Sequence, residues 1–304
     1  MDIYLPIAGQ SVNALLIVIL GGLVGLLSGM FGVGGGFLTT PLLIFYGIPP
    51  TVAAASSATQ VTGASVSGVF AHSRRGGVDY QIGAVGVAGG VIGATIGALL
   101  FRLLQSLGQI DTVINILYVV LLGTVGALMG RESLQTMRRN REGARPRAAK
   151  RRHHPLVASL PMRWRFYRSG LYISPLAPLL MGVVVGILTM LMGVGGGFIL
   201  VPAMLYILGM SASVVVGTSL FQILFVTMAA TMMHSLTTKA VDIVLAGLLL
   251  FGSVTGAQLG TRIAQLAKPE VLRLLLAGTV LAVALRMAFG LGVRPDEVYS
   301  VLPL

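Results

Sequence analysis

Two stretches of this chain, 161 residues apart, have closely similar sequences. Residues 25–41 read GLLSGMFGVGGGFLTTP and residues 186–202 read GILTMLMGVGGGFILVP, with 9 of 17 positions identical. Further matches follow in the same order, and the offset between them reaches only 163 residues at Asp79 and Asp242. A match of this length predicts two halves of similar structure, related by duplication.

The apolar segments of the chain divide evenly between these halves. Hydrophobic residues make up 55% of the chain and charged residues only 10%, and a span of the lipid core takes about 20 apolar residues. Ten segments stand out: 12–31, 37–48, 52–71, 78–101, 112–130, 175–193, 197–208, 212–233, 241–264 and 271–290. The expected fold class is therefore all-α: a polytopic membrane protein of two five-segment repeats, with helices broken after glycine-rich loops.

Most of the net charge of +12 lies in one central stretch. Residues 131–173 hold 12 lysines and arginines against 2 acidic residues, a net charge of +10. Basic loops stay in the cytoplasm and attract anionic lipid headgroups, so membrane lipids are the expected partner and nucleic acid is not. The predicted division is a first transmembrane repeat at 1–130, a basic cytoplasmic linker at 131–173 and a second transmembrane repeat at 174–304.

The orientation of the second repeat is predicted to be inverted. Five spans per repeat return the chain to the opposite side of the membrane. Arg74 and Arg75 follow the third segment, whereas the corresponding loop at 235–239 has lost both arginines, as inversion predicts. The alternative is a parallel arrangement in which the two short segments only dip into the membrane.

The glycine runs at 32–36 and 193–197 each interrupt an apolar stretch and precede a short segment. Glycine lets the backbone leave helical geometry, and the next helix then begins inside the membrane with free N–H groups that attract an anion. The candidate substrate-binding glycines are Gly34, Gly35, Gly36, Gly195, Gly196 and Gly197. A tight helix crossing without a ligand is the alternative. No Gly-Lys-Ser/Thr follows either run, so a nucleotide-binding loop is not expected.

Matched polar residues lie near the middle of two later segments. Gln60 and Gln222 are each preceded by hydroxyl residues on the same helical face, and a buried amide is costly without a partner. We therefore include Ser56, Ser57, Gln60, Thr218, Ser219 and Gln222 in the predicted substrate site. Hydrogen bonds between helices are the alternative role for these side chains.

Four matched ionisable residues lie at segment ends: His72, Asp79, His234 and Asp242. A gating or proton-relay role is one interpretation of this group. N-capping of the following helices is the favoured interpretation for the two aspartates.

The chain has no cysteine, no HExxH and no GxSxG, so neither a metal, a cofactor nor an enzymatic activity is expected. Glycines spaced by four residues predict close helix packing, within the chain or in a homodimer.

The doubled GVGGGF…P motif, the two similar halves and the basic central loop resemble the TauE/SafE family of anion permeases. The resemblance extends from about Val12 to about Gly290 and implies a transporter of sulfite or small organosulfur anions in the bacterial inner membrane. It carries over to Gly34–Gly36, to Gly195–Gly197 and to the polar residues that follow. Thr39 and Thr40 join the predicted site, although Leu200 and Val201 replace them in the second copy, which predicts an asymmetric site.

The sequence therefore predicts a secondary transporter that moves a small oxyanion by alternating access of its two repeats. A passive anion channel is one alternative. The other is a membrane scaffold that acts through its basic loop, although matched polar residues inside the membrane argue for transport.

Overall fold

The computed structural model describes residues 2–31, 34–74, 76–141, 163–266 and 269–292. Each half consists of a short β-hairpin followed by five helices. The first half contains β1 (Asp2–Leu5), β2 (Gln10–Asn13), α1 (Ala14–Phe31), α2 (Gly36–Phe45), α3 (Pro50–Arg74), α4 (Tyr80–Ser106) and α5 (Ile110–Arg141). The second contains β3 (Trp164–Phe166), β4 (Leu171–Ile173), α6 (Leu176–Met192), α7 (Gly197–Tyr206), α8 (Ala212–Met233), α9 (Ile243–Leu266) and α10 (Pro269–Gly292).

The helices confirm the predicted all-α membrane fold, since each of the ten segments is a helix at nearly the predicted bounds. Five stretches of the described chain are long and apolar enough to cross a membrane: Tyr80–Ser106, Ile110–Gln135, Val214–Thr238, Ile243–Gly260 and Leu274–Gly292. Helix α3 is 25 residues long, and it contains many serine and threonine residues as well as Gln60. Polar side chains on a helix this long indicate a role inside the protein, away from lipid.

Glycine-lined surfaces join the two halves through two parallel helix pairs. A β-carbon on Gly93 of α4 would overlap the backbone of Val183 in α6, and one on Gly256 of α9 would overlap Gly22 in α1. The same fit continues one turn away in either direction, at Gly89 and Gly97 and at Gly252 and Gly260. Only glycine permits this approach of two backbones, so these glycines spaced by four residues pack within the chain.

Corresponding helices of the two halves run antiparallel. In the α3–α8 pair, Thr59 lies beside Thr231 and Thr62 beside Thr227, so one helix ascends while the other descends. In the α5–α10 pair, Gly126 faces Leu281 and Gly130 faces Ala277, again in opposite order. This relation between equivalent helices is the one that an inverted repeat predicts.

The two short helices form the centre of the molecule. The rings of Phe37 in α2 and Phe198 in α7, at equivalent positions, lie 5.5 Å apart between centroids. Buried side chains of α5 and α10, including Tyr118 and Val280, pack over this pair in one hydrophobic cluster. The short helices are therefore enclosed by protein on the side where α5 and α10 cover them.

The ends of both short helices are set by glycine. Gly47 and Gly209 adopt positive φ angles of 94° and 71°, two residues after the end of α2 and three residues after the end of α7. The N–H of Ile48 then bonds to Leu43 O at 3.0 Å, and that of Met210 to Met204 O at 3.0 Å. A left-handed residue with this return bond stops a helix sharply.

The β-hairpins are absent from the sequence predictions. Their turns end at Gly9 and Gly170, with φ angles of 66° and 63°. The first hairpin buries Leu5 and Val12, and the second buries Phe166. These contacts fix each hairpin on the helices of its side.

Both ends of the predicted linker form regular secondary structure. Helix α5 extends through residues 131–141, and the second hairpin accounts for 164–173. Residues 142–162, Gly32, Val33, Arg75 and Lys268 lie outside the described residues, and 142–162 make up 21 of the 43 residues of the predicted basic linker.

Candidate functional site

The two glycine breaks meet at the centre of the protein. A β-carbon on Gly36 would lie 2.9 Å from Gly193 O and 2.8 Å from Val194 O. Gly34 and Gly195 adopt positive φ angles of 73° and 71°, which let the chain turn from one helix into the next. The start of α2 therefore faces the backbone between α6 and α7.

Residues of α3 and α8 complete the surroundings of these breaks. A β-carbon on Gly195 would lie 2.7 Å from Val61 and 3.0 Å from Ile223, and one on Gly34 would lie 3.7 Å from Ile223. Gly197 begins α7 and is buried, as is Gly36 at the start of α2. The structure thus brings the predicted glycines and the predicted polar helices together in one place.

Gln60 is the central polar side chain of this region. It is 1% exposed, and its Oε1 lies 3.0 Å from the Thr39 hydroxyl, which also lies 3.2 Å from Gly35 O. Within the described residues, Gln60 Nε2 has no hydrogen-bond partner. A buried amide donor without a partner costs about 1–3 kcal/mol, so a bound water molecule or a ligand is expected to accept this hydrogen bond.

The equivalent glutamine has a different environment. Gln222 is also 1% exposed, but its Nε2 donates to Gly86 O over 3.2 Å. A β-carbon on Gly86 would overlap the Gln222 carboxamide, so this contact depends on glycine. The position matching Gly86 is Leu249, 163 residues later, and the matched position of Thr39 is Leu200. The site is therefore asymmetric, with a free amide donor in the first half only.

Two hydroxyls add to the donors at the breaks. Ser57 Oγ and Thr189 Oγ1 are buried, and neither has a hydrogen-bond partner among the described residues. Ser57 was predicted from the sequence, whereas Thr189 was not. Thr189 lies beside Gly196, at 3.6 Å from the position of a β-carbon there, and its match Ser28 lies beside Gly35 in the same way. The pairing of Ser28 with Thr189 in the repeat was the signal that could have identified them.

The remaining hydroxyls of the predicted site bind the protein itself. Thr40 Oγ1 donates to Met192 O over 3.2 Å, as does the Tyr118 hydroxyl over 2.6 Å. Ser219 Oγ donates to Val216 O over 2.9 Å. These bonds hold the end of α6 and the start of α8, so the structure gives these side chains a positioning role.

Ser56 and Thr218 belong to two matched networks at helix starts. Asp242 N donates to Ser56 Oγ at 3.1 Å, and Asp79 N donates to Thr218 Oγ1 at 2.9 Å. Asp79 Oδ1 accepts from the N–H groups of Gln81 and Ile82, and Asp242 Oδ1 accepts from Leu245 N. The N-capping interpretation of both aspartates is therefore correct.

The same carboxylates hold the hairpin of the opposite half. Asp79 Oδ2 accepts bonds from the N–H and the hydroxyl of Ser169, in the turn of the second hairpin. Asp242 Oδ2 accepts a bond from Ile7 N, in the turn of the first hairpin, at 3.1 Å. Arg168 adds two bonds to Gly76 O, at 3.1 and 2.9 Å. Each aspartate therefore joins a helix start, a site helix and a hairpin.

The two matched histidines differ in burial. His234 is fully buried, with Nε2 at 2.9 Å from Met190 O, Nδ1 at 3.2 Å from Thr238 Oγ1 and its ring edge-on to Phe101. His72 is partly buried, with Nδ1 at 3.0 Å from Gly68 O. Neither imidazole is hydrogen-bonded to Gln60 or Gln222.

A row of threonines along the α3–α8 seam was not predicted. The hydroxyls of Thr62 and Thr227 lie 2.8 Å apart, and those of Thr59 and Thr231 lie 3.4 Å apart. Thr59 and Thr62 stand on either side of Gln60 in the sequence of α3, and the row lies between two antiparallel helices. Threonine spacing of three to four residues on both helices was the available sequence signal.

Membrane-spanning helices, broken helices that meet at the centre and buried polar donors beside the breaks together define a polytopic membrane protein of the transporter class. The chain belongs to the sulfite exporter TauE/SafE family, whose model matches residues 17–287. These matches indicate a membrane transporter rather than an enzyme.

Curated relatives agree with this assignment. The probable membrane transporter protein YjnA of Bacillus subtilis (strain 168) is 26% identical over 89% of this chain and 98% of its own length. A probable membrane transporter protein of Xylella fastidiosa (strain Temecula1 / ATCC 700964) is 27% identical over 80% of this chain and 82% of its own. The sulfite exporter TauE/SafE family protein 6 of Arabidopsis thaliana is 52% identical over 48 residues, 16% of this chain and 11% of its own. No solved structure gives a significant match.

Proposed function

We propose that this protein is a secondary transporter that moves a small sulfur-containing oxyanion across the bacterial inner membrane by alternating access. The observation that carries the proposal is the Gln60 carboxamide, which is buried beside the start of α2 with its donor nitrogen unpartnered. The family supports the sulfur anion class, and the bacterial relatives support the location.

The chemistry of the site favours an anion. Ser57, Gln60 and Thr189 offer hydrogen-bond donors, and the first N–H groups of α2 and α7 have no carbonyl partners within their own helices. Helix starts carry partial positive charge, so the two breaks together stabilise negative charge without a lysine or arginine. Neutral donors bind an anion weakly enough to release it, as a transport cycle requires.

The antiparallel relation of α3 and α8 supports alternating access. These helices carry Gln60 and Gln222, and threonine pairs form part of the contact between them. A change in their packing would open the central site to one side and then to the other. Each aspartate network links one of these helices to a hairpin at its end.

Lipid contact is proposed for the second hairpin. Trp164, Tyr167 and Tyr172 are 54%, 77% and 59% exposed, and Arg165 lies 5.7 Å from the Tyr167 ring. Exposed aromatic rings with arginine are typical of a surface at the headgroup level. Anionic lipid is therefore the partner we propose for this face.

Uptake of radiolabelled sulfite into proteoliposomes tests the transport function. The protein should give saturable flux that shows counterflow exchange, whereas a channel would give flux without counterflow. Gln60→Ala should lower flux at low sulfite concentration about 10- to 100-fold, because a hydrogen bond to a charged group contributes about 1.5–3 kcal/mol.

Gln222→Ala is the matched control, because its amide is engaged by Gly86. It should lower thermal stability, since the lost bond contributes about 1 kcal/mol, but the flux of folded protein should stay close to that of wild type, because this donor is already engaged within the protein. Folded protein without flux of any sulfur oxyanion would refute the proposed function. Wild-type flux in Gln60→Ala would refute the assignment of Gln60 to the substrate-binding site.

A further inference from the structure

The two stretches of sequence that contain the glycine breaks, Gln60 and Gln222 carry no formal charge. Residues 14–73 and 176–238 contain no Asp, Glu, Lys or Arg. Among the described residues, the buried side chains include no lysine or arginine, while Asp79 and Asp242 are both buried. Both carboxylates are joined to the site helices through Thr218 and Ser56. The buried formal charge near the site is therefore negative.

Other groups near the breaks do not compensate a high negative charge. The carbonyl oxygens of Gly193 and Val194 point towards Gly36. His234, which could carry a positive charge, has both ring nitrogens beside protein partners. His72 lies 12 residues from Gln60 on the same helix, about 18 Å along its axis at 1.5 Å per residue.

Neutral donors discriminate between ions by charge. The cost of removing an ion from water rises with the square of its charge, whereas its attraction to fixed dipoles rises only in proportion. Doubling the charge therefore multiplies the cost by about four and the gain by about two. A site with free donors at Ser57, Gln60 and Thr189 and no cation suits one negative charge.

From these observations we infer that the site selects singly charged sulfur oxyanions, hydrogen sulfite or a simple sulfonate, over those that carry two charges on one sulfur oxyanion group, such as sulfite dianion or sulfate. This inference rests on the proposed function and specifies the charge of its substrate. Hydrogen sulfite also carries a proton that can be donated to a carbonyl such as Gly193 O or Val194 O.

Competition in proteoliposomes tests the inference on the wild-type protein. Methanesulfonate carries one charge, and sulfate carries two at neutral pH. Methanesulfonate should inhibit labelled sulfite flux at a concentration at least about tenfold lower than sulfate, which corresponds to about 1.4 kcal/mol. Inhibition by sulfate at the same concentration would overturn the inference but leave sulfite transport established. Absence of sulfite flux would remove both proposals.

The pH dependence provides a second test. Sulfite takes up a proton near neutral pH, whereas methanesulfonate stays a monoanion. The apparent KM for total sulfite should fall as pH is lowered through neutrality, because the hydrogen sulfite fraction rises. The KM for labelled methanesulfonate should stay constant and so controls for titration of His72, His234, Asp79 and Asp242. A parallel fall in both values, or a rise for sulfite, would overturn the inference.

Discussion

Phe37 and Phe198 face each other at a ring separation of 5.5 Å, and each is the second residue of a ten-residue helix. The two positions correspond in the repeat, at an offset of 161 residues. Contact between equivalent residues of two halves occurs near an axis that relates those halves. The glycine breaks lie one residue earlier in each half, so the candidate site is at this axis. The side chains around it, however, differ between the halves.

The asymmetry predicts a specific role for Thr39. Thr39→Val removes the hydroxyl that holds Gln60 Oε1 at 3.0 Å but keeps the shape of the side chain. The carboxamide then loses the bond that orients it, and a net contribution of about 0.5–1.5 kcal/mol corresponds to a 2- to 10-fold rise in the KM for sulfite. Initial rates of uptake in proteoliposomes measure this change.

Leu200→Val provides the control, because Leu200 occupies the matched position of α7 and lacks a hydroxyl. Its KM should equal that of the wild type. A wild-type KM for Thr39→Val would show that Thr39 does not orient Gln60 for binding.

The parallel helix pairs predict large differences between glycines. Gly93→Ala should be strongly destabilising, because its methyl group would overlap the Val183 carbonyl oxygen and overpacking costs about 1–3 kcal/mol. Gly123→Ala is the control: it is in α5, and a β-carbon there meets nothing within 4 Å. Alanine is the better helix former, so that variant should be as stable as the wild type or more so. Thermal unfolding in detergent compares them, and equal midpoints would contradict the packing.

Much of the fold was predictable because membrane helices follow from hydropathy. The ten apolar segments are ten helices in the structure, and the spacing of the glycines predicted close helix packing without indicating which helices pack together. The partners themselves could not be predicted. Nothing in the sequence of α1 indicates that Gly25 packs on Ser253 of α9, a residue of the other half. The hairpins were missed since strands of three or four residues are too short for an alternating pattern to show.

The site was predictable in position but not in detail. Matched residues of a repeat predict matched roles, so Gln60 and Gln222 were predicted to have the same role. The contact of Gln222, however, depends on a residue of the other half: Gly86 is in α4, and it admits Gln222 because it has no side chain. The aspartates were correctly placed as N-caps, but their bonds to Ile7 and Ser169 join residues that are distant in the sequence.

The two aspartate networks predict unequal effects on stability. Asp79 binds two helix N–H groups and both donors of Ser169, whereas Asp242 binds one helix N–H and Ile7 N. Losing an N-cap costs about 0.5–2 kcal/mol, and each further bond to a charged group adds about 1.5–3 kcal/mol. Asp79→Ala should therefore lower the thermal midpoint more than Asp242→Ala.

The flux of Asp79→Asn separates capping from proton relay. Asparagine is a good N-cap but does not titrate, so a structural Asp79 predicts substantial flux per folded protein in this variant. Loss of flux at wild-type stability would instead support the relay interpretation. Ser169→Ala is a milder control that removes one donor to the carboxylate.

The orientation of the two halves predicts opposite exposure of the hairpin turns. The chain contains no cysteine, so single cysteines report without background. Ile7 and Tyr167 lie in the turns of the first and second hairpins and are 43% and 77% exposed. Arg165 and Arg168 belong to the second hairpin, and Arg168 bonds to Gly76 O in the loop that follows Arg74, so we expect this turn on the cytoplasmic side. An impermeant thiol reagent should label Ile7→Cys in right-side-out vesicles and Tyr167→Cys in inside-out vesicles. Both variants should react after detergent treatment. The cysteine-free parent should not react either before or after that treatment. Labelling of both cysteines from one side would show a parallel arrangement of the halves and would exclude the inverted one.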